Sequence, residues 1–305
     1  MISSISNSKR LAAKLAFWLL IFVLANSVAS GPVSRLVEKP VQILKQRIEQ
    51  SRARLILLGD SHTQALGQAG GKILNLASGG DSFFEMRAKL RYCLLNGMRP
   101  QLVVIQVDSH GFSTARAVRN NRQQGEMLSG SIDDTEVYGT HWKRRWLWTP
   151  FPLTNPVNAR LARRYLLYQF FQLGDELGSW ETMTQVQRMR LRNKRFRVSF
   201  SGQFDPGLAF QLSALLKDCE EYDIPVLGLR CPLDPDYLHL VEESVEHSEA
   251  EVYVDNLGID VLDYSSKVTD LGQFANQDHL RRGSDVANKL CERLLQRLSV
   301  SEGER

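Results

Sequence analysis

Three short, mostly aliphatic runs, each ending abruptly in small and polar residues, limit what this chain can fold into. The first is Leu55-Ile56-Leu57-Leu58, which runs straight into Gly59-Asp60-Ser61-His62-Thr63. The second spans residues 72–77 and leads into Ser78-Gly79-Gly80-Asp81-Ser82. The third spans residues 102–107 and stops at Asp108-Ser109-His110-Gly111. An uninterrupted apolar run bounded by a turn signal reads as a strand buried on both faces, the condition of a parallel sheet. The residues between the runs have helical character, clearest at 83–96, where Phe84, Met86, Leu90, Leu94 and Leu95 recur at helical spacing before Gly97. Repeated strand–helix–strand units predict an α/β fold, a three-layer α/β/α arrangement with a mostly parallel sheet. Ligands of such sheets bind outside the carboxyl ends of the strands. Ser61 stands at such an end, although Gly-Asp-Ser is also an ordinary turn sequence.

Composition narrows the class further. The chain has 305 residues, 43% hydrophobic and 24% charged, which is enough for a large core. A formal net charge of +4 gives no reason to expect a nucleic-acid partner. Cys93, Cys219, Cys231 and Cys291 lack zinc-like spacing and are either buried thiols or disulfides. No metal cluster, phosphate-binding glycine loop or internal repeat is visible, so no metal and no cofactor are expected.

At the amino terminus, Lys9, Arg10 and Lys14 precede the apolar run 15–25. A basic flank before such a run reads as a signal anchor or signal peptide over residues 1–32, with the following chain on the far side of the membrane. Residues 33–54 read as an amphipathic connector broken at Pro40. The α/β domain then occupies 55–298, with an insertion or cap at about 112–202, and 299–305 form a polar tail. Within the insertion, Trp142, Trp146 and Trp148 lie among basic residues, and Trp142 is a candidate sugar platform. Residues 160–177 have helical periodicity. Residues 185–197 carry the strongest local charge, suited either to a solvated helix face or to an anionic polysaccharide or headgroup. Further strands are expected at 225–230 and around 259–263. Arg230, at the end of the first of these, is a candidate contact for an acidic group of the substrate, and His247 reads as a surface residue.

The three strand-end blocks resemble those of the SGNH/GDSL hydrolase superfamily, and a fourth piece, Asn276-Gln277-Asp278-His279-Leu280, resembles its terminal block. The resemblance implies that Ser61 is a nucleophile and His279 its base. It also implies an oxyanion hole made by the backbone N–H groups of Ser61 and Gly80. Two positions depart from the pattern. His110 stands where the family supplies an oxyanion-binding Asn, as donor or as structural histidine. Asn276 stands where the Asp that orients the base is expected, and Asp278 is the other candidate, although adjacent side chains often point apart. The Gly-Asp-Ser-His form behind an anchor is similar to the SGNH domains of bacterial polysaccharide O-acyltransferases, including the D-alanyl transfer proteins of teichoic acid modification and the alginate O-acetylation proteins. That similarity implies acyl transfer to an exported polysaccharide, in the periplasm at the inner membrane, with a membrane-bound acyl-donor protein as a possible partner. A carbohydrate esterase is the alternative, and a catalytically weak glycan-binding or assembly protein is the third reading.

Overall fold

The computed structural model describes residues 2–67, 71–139, 152–154, 159, 180–200 and 202–303. The helix expected at 160–177 and the candidate Trp142 lie outside them.

The chain divides into two units. The first comprises Met1–Ile43 and Tyr138–Glu176. Its described part is dominated by helix α1 (Ile2–Val33), whose Leu15, Phe17, Trp18, Leu19 and Leu20 are exposed. The helical stretch from Leu11 is long and apolar enough to cross a membrane, a test that signal sequences also pass. Asn26 is buried in this helix, donating to the Phe22 carbonyl at 2.8 Å and accepting from the Leu153 N–H at 2.9 Å. The chain was expected to break at Pro40. Instead, a π-helical turn over Ser34–Glu38 carries it into α2 (Lys39–Gln50). The Lys39 N–H bonds back to the Ser34 carbonyl, a register shift that accommodates a proline lacking its own N–H.

The second unit, Leu44–Val137 with Leu177–Arg305, contains the sheet. Strands β1 (Leu55–Leu58), β2 (Ile73–Asn75), β3 (Leu102–Gln106), β4 (Val226–Arg230) and β5 (Asp260–Asp263) are all parallel, in the order β2-β1-β3-β4-β5. The order reverses between β1 and β3, where a crevice opens at the carboxyl ends. Every residue of β1 and β3 is buried, as their apolar runs require. The edge strand β5 is partly exposed and carries Asp at both ends.

Helices cover the sheet: α3 (Ser61–Gln64), α4 (Phe83–Leu95), α5 (Thr114–Val118), α6 (Arg122–Ser131), α7 (Gln185–Ser199), α8 (Pro206–Glu221), α9 (Pro235–Glu242), α10 (Val245–Asn256) and α11 (Asp285–Gly303). Their starts follow local chemistry. Ser82 and Glu85 form a capping box at α4, Thr184 and Gln187 another at α7, and Asp205 caps α8 ahead of Pro206. The short helix expected at residues 64–71 lies earlier, at Ser61–Gln64, because the Asp60 carboxylate accepts the His62 N–H. Between β5 and α11, β6 (Phe274–Asn276) and β7 (His279–Leu280) form a small antiparallel hairpin with a register shift, an element the sequence pattern did not announce. All four cysteines are buried free thiols.

The turn after β1 is tightly enclosed. A Cβ on Gly59 would lie 2.6 Å from Gln106 Oε1 and 2.9 Å from Gln106 Cβ. Gly59→Ala should therefore destabilise the protein by roughly 1–3 kcal/mol, the usual cost of overpacking, measured by urea unfolding.

Candidate active site

The carboxyl ends of β1 and β3 each carry the tripeptide Asp-Ser-His, as Asp60-Ser61-His62 and Asp108-Ser109-His110. Side by side in the sheet, the two copies pair crosswise. His110 Nε2 lies 2.9 Å from Asp60 Oδ2, and His62 Nδ1 lies 3.2 Å from Asp108 Oδ2. Gln106, a polar residue in an otherwise apolar strand, joins the two turns. Its Oε1 accepts the Asp60 N–H at 2.8 Å while its Nε2 donates to Asp108 Oδ2 at 2.7 Å. Asp108 uses its other oxygen to accept the Cys231 N–H at 2.8 Å, tying in the end of β4.

The charges in this buried cluster are unevenly placed. Burial opposes charge on His62, but Asp60, Asp108 and Asp278 outweigh it and lift the imidazole to about 10, so it is a cation at neutral pH. Burial likewise works against the Asp60 carboxylate, yet His62, His110 and Arg116 hold it well below its usual range. Burial, together with the His62 charge and Arg116, lowers His110 despite Asp60, leaving it neutral. A neutral imidazole has one N–H. Nε2 of His110 faces Asp60, which leaves Nδ1 as its other ring nitrogen.

The C-terminal hairpin brings in the remaining candidates. His279 Nδ1 lies 2.9 Å from Asn276 Oδ1 and 2.6 Å from Asp278 Oδ1, so both proposed orienting residues reach the same nitrogen. Asp278 is buried, a state that would raise its carboxyl, but His279 and His62 hold it well below the usual range. Arg195 from α7 adds a bond from Nε to Asp278 Oδ2 at 2.5 Å. Ser61 is half-buried at the first turn of α3, against which β7 packs, and a Cβ on Gly79 would lie 3.6 Å from its own. Gly80 follows with φ +94°, a conformation that favours glycine. No hydrogen bond joins Ser61 to His279 among the described residues, an arrangement common in catalytic pairs without substrate.

The second-block loop is held by residues with no motif signal of their own. Lys89 is buried, pairs with Asp81 and donates to the Leu76 carbonyl at 2.7 Å. Asn121 Nδ2 donates to the Gly79 carbonyl at 2.9 Å and to Asp81 Oδ1 at 2.8 Å.

Arg230 faces two carboxylates, Glu251 at 2.6 Å and Asp263 at 3.2 Å, so its charge is already met within the protein. With Tyr237, Asp108 and Asp278 it lines a cavity of about 140 Å³ beside His62. His247, expected on the surface, lines the same cavity, and burial lowers its basicity. The basic helix α7 is likewise not simply a solvated face. Its Arg192 is buried against Asp234 and Asp236, and Arg195 serves Asp278, while Arg190, Lys194 and Arg197 are exposed.

Two Asp/His groups could hold a metal ion by distance: Asp60, His62 and His110, and His62, Asp278 and His279. In each group one carboxylate oxygen is already engaged by an arginine, Asp60 Oδ2 by Arg116 Nη2 at 2.6 Å and Asp278 Oδ2 by Arg195.

No family model matches the chain. None of the curated proteins compared with it matches either. Among solved structures it is similar to a provisionally named acylhydrolase from Bacteroides fragilis, at 10% identity and a TM-score of 0.38, covering 84% of this chain and 90% of that one. It is also similar to a GDSL-like lipase from Bacteroides thetaiotaomicron, at 10% identity and a TM-score of 0.36, covering 83% and 89%. Likenesses at this level say nothing of activity.

The cluster makes stability depend on pH in a definite direction. The His62 contribution is fully present below its unfolded value of 6.5 and is lost progressively as pH rises to about 10. The melting temperature should fall across that window, and the fall should be reduced in His62→Gln, as followed by circular dichroism.

Proposed function

We propose that this chain is a serine-dependent acyl-transfer enzyme that forms an acyl-enzyme at Ser61. One observation carries the reading: the Nδ1 of His279 is fixed by two side-chain oxygens, Asn276 Oδ1 and Asp278 Oδ1. This sets the proton on Nδ1 and leaves Nε2 as the basic nitrogen, the tautomer a serine base requires.

In the first half-reaction Ser61 Oγ attacks the carbonyl carbon of an ester and its proton passes to His279 Nε2. The C–O bond of the donor then breaks and the leaving alcohol takes that proton. In the second half-reaction an acceptor hydroxyl gives its proton to His279 and attacks the acyl-serine, restoring Ser61. The backbone N–H groups of Ser61 and Gly80 are the proposed oxyanion donors, since His110 turns Nε2 to Asp60.

The proposed acceptor is a hydroxyl of an exported polysaccharide, and an acetyl or other small acyl group is the proposed cargo. The basic flank of Lys9, Arg10 and Lys14 before the apolar helix α1 supports an inner-membrane anchor with the α/β domain in the periplasm. A membrane-bound donor protein would then deliver the acyl group. With water as acceptor, the same machinery is a carbohydrate esterase.

A serine-directed fluorophosphonate should label Ser61, seen by peptide mass spectrometry, and Ser61→Ala should lower turnover on the order of a thousandfold or more. A folded protein that resists labelling would leave glycan binding as the function. Supplying an activated acetyl ester with and without oligosaccharide should give acetylated sugar. Free acetate released at the same rate in both, with no acetylated sugar, would establish the esterase.

A further inference from the structure

His62 has no part in the reaction just described, yet it is 3% exposed and central to the cluster. Its Nδ1 faces Asp108 Oδ2 at 3.2 Å and Asp60 Oδ1 at 3.9 Å. Its Nε2 lies 3.3 Å from Asp278 Oδ2, an ion-pair contact not aligned as a hydrogen bond. The ring meets His279 edge-on with centroids 4.6 Å apart, and meets His110 at 4.5 Å. Asp278 divides its oxygens. Oδ1 accepts from His279 Nδ1 at 2.6 Å and Gln277 Nε2 at 3.0 Å, while Oδ2 faces Arg195 and His62.

We propose that His62 is a positioning residue for His279: together with Arg195 it holds Oδ2 of Asp278, so that Oδ1 of the same carboxylate stays on Nδ1 of His279. The proposal rests on the reading of His279 as the base. A carboxylate bound on one oxygen only can turn about its side-chain bond and exchange oxygens. Two cationic partners on Oδ2 prevent that and fix the imidazole through Oδ1.

The same contact sets the charge balance. A bare carboxylate beside an imidazole favours the imidazolium, which cannot accept a proton from serine. The positive His62 and Arg195 stand against Oδ2 of Asp278, on the side of the carboxylate turned away from His279 Nδ1. The other groups facing His62 are Asp60, Asp108 and His110, with Arg116 behind Asp60. Cys231 and Tyr237, both pushed up by burial, add no charge at neutral pH.

The sign of the effect follows. Removing either cation leaves more of the Asp278 charge facing the site and should move the acid limb of kcat/KM upward by about one pH unit. His62→Gln and Arg195→Gln should both do so, with kcat reduced and KM little changed, and Arg195→Lys should restore part of the loss. A lower kcat with the acid limb in its wild-type place in both Gln variants would show a merely structural role and overturn the proposal. Arg195→Gln carries the test if His62→Gln does not fold.

Nitrogen-15 NMR of the imidazoles reads the coupling without catalysis. In the wild type both His62 nitrogens should remain protonated at pH 8, and the His279 ring resonances should shift in the Gln variants. A His62 that titrates near 6.5, or unshifted His279 resonances, would overturn the proposal. Unlabelled Ser61 with the NMR coupling intact would instead overturn the acyl-enzyme reading and leave the His62–Asp278–His279 coupling standing.

Discussion

A protonated imidazole enclosed by protein is the constraint to which the rest of this structure answers. Taking such a charge out of water costs several kcal/mol unless close counter-charges compensate it. His62 is compensated by Asp60, Asp108 and Asp278, and these come from the ends of two neighbouring strands and from the turn of the C-terminal hairpin. Each of those carboxylates is in turn held by a second set of donors. Arg116 and His110 meet Asp60, Gln106 and the Cys231 N–H meet Asp108, and Arg195 meets Asp278. Loss of one member would leave a buried charge without its partner.

The sheet was legible in the sequence because β1 and β3 are buried on both faces and show this as aliphatic runs, unbroken in β1 and ended by Gln106 in β3. The hairpin was not, since β6 and β7 are too short to display any alternation. Asn276 is placed against His279 by resemblance, and Asp278 is the other candidate although adjacent side chains often diverge. That rule holds within a strand, whereas Asp278 lies in the turn between β6 and β7, where both oxygens can converge on one ring nitrogen.

The crossed pairs left a readable trace, the same Asp-Ser-His tripeptide after two strands, but its meaning depends on those strands being neighbours. Strand order is not written in either copy. The shell of Lys89, Asn121, Arg116 and Arg195 carried no trace at all, because each residue lies on a helix or loop remote in sequence from the group it holds. The arginines of α7 show the same limit. A run of basic residues looks like a surface, and only the packing of α7 separates Arg192 and Arg195 from the exposed Arg190, Lys194 and Arg197.

The sequence distance between His62 and Asp278 also ties the two ends of the domain together. Pairing of strands β1 to β4 needs nothing of the chain beyond Arg230. The third counter-charge of His62 comes only from the β6–β7 hairpin, more than two hundred residues further along. A chain cut between β5 and β6 would therefore keep every strand of the sheet and lose the group that completes the charge balance beneath Ser61.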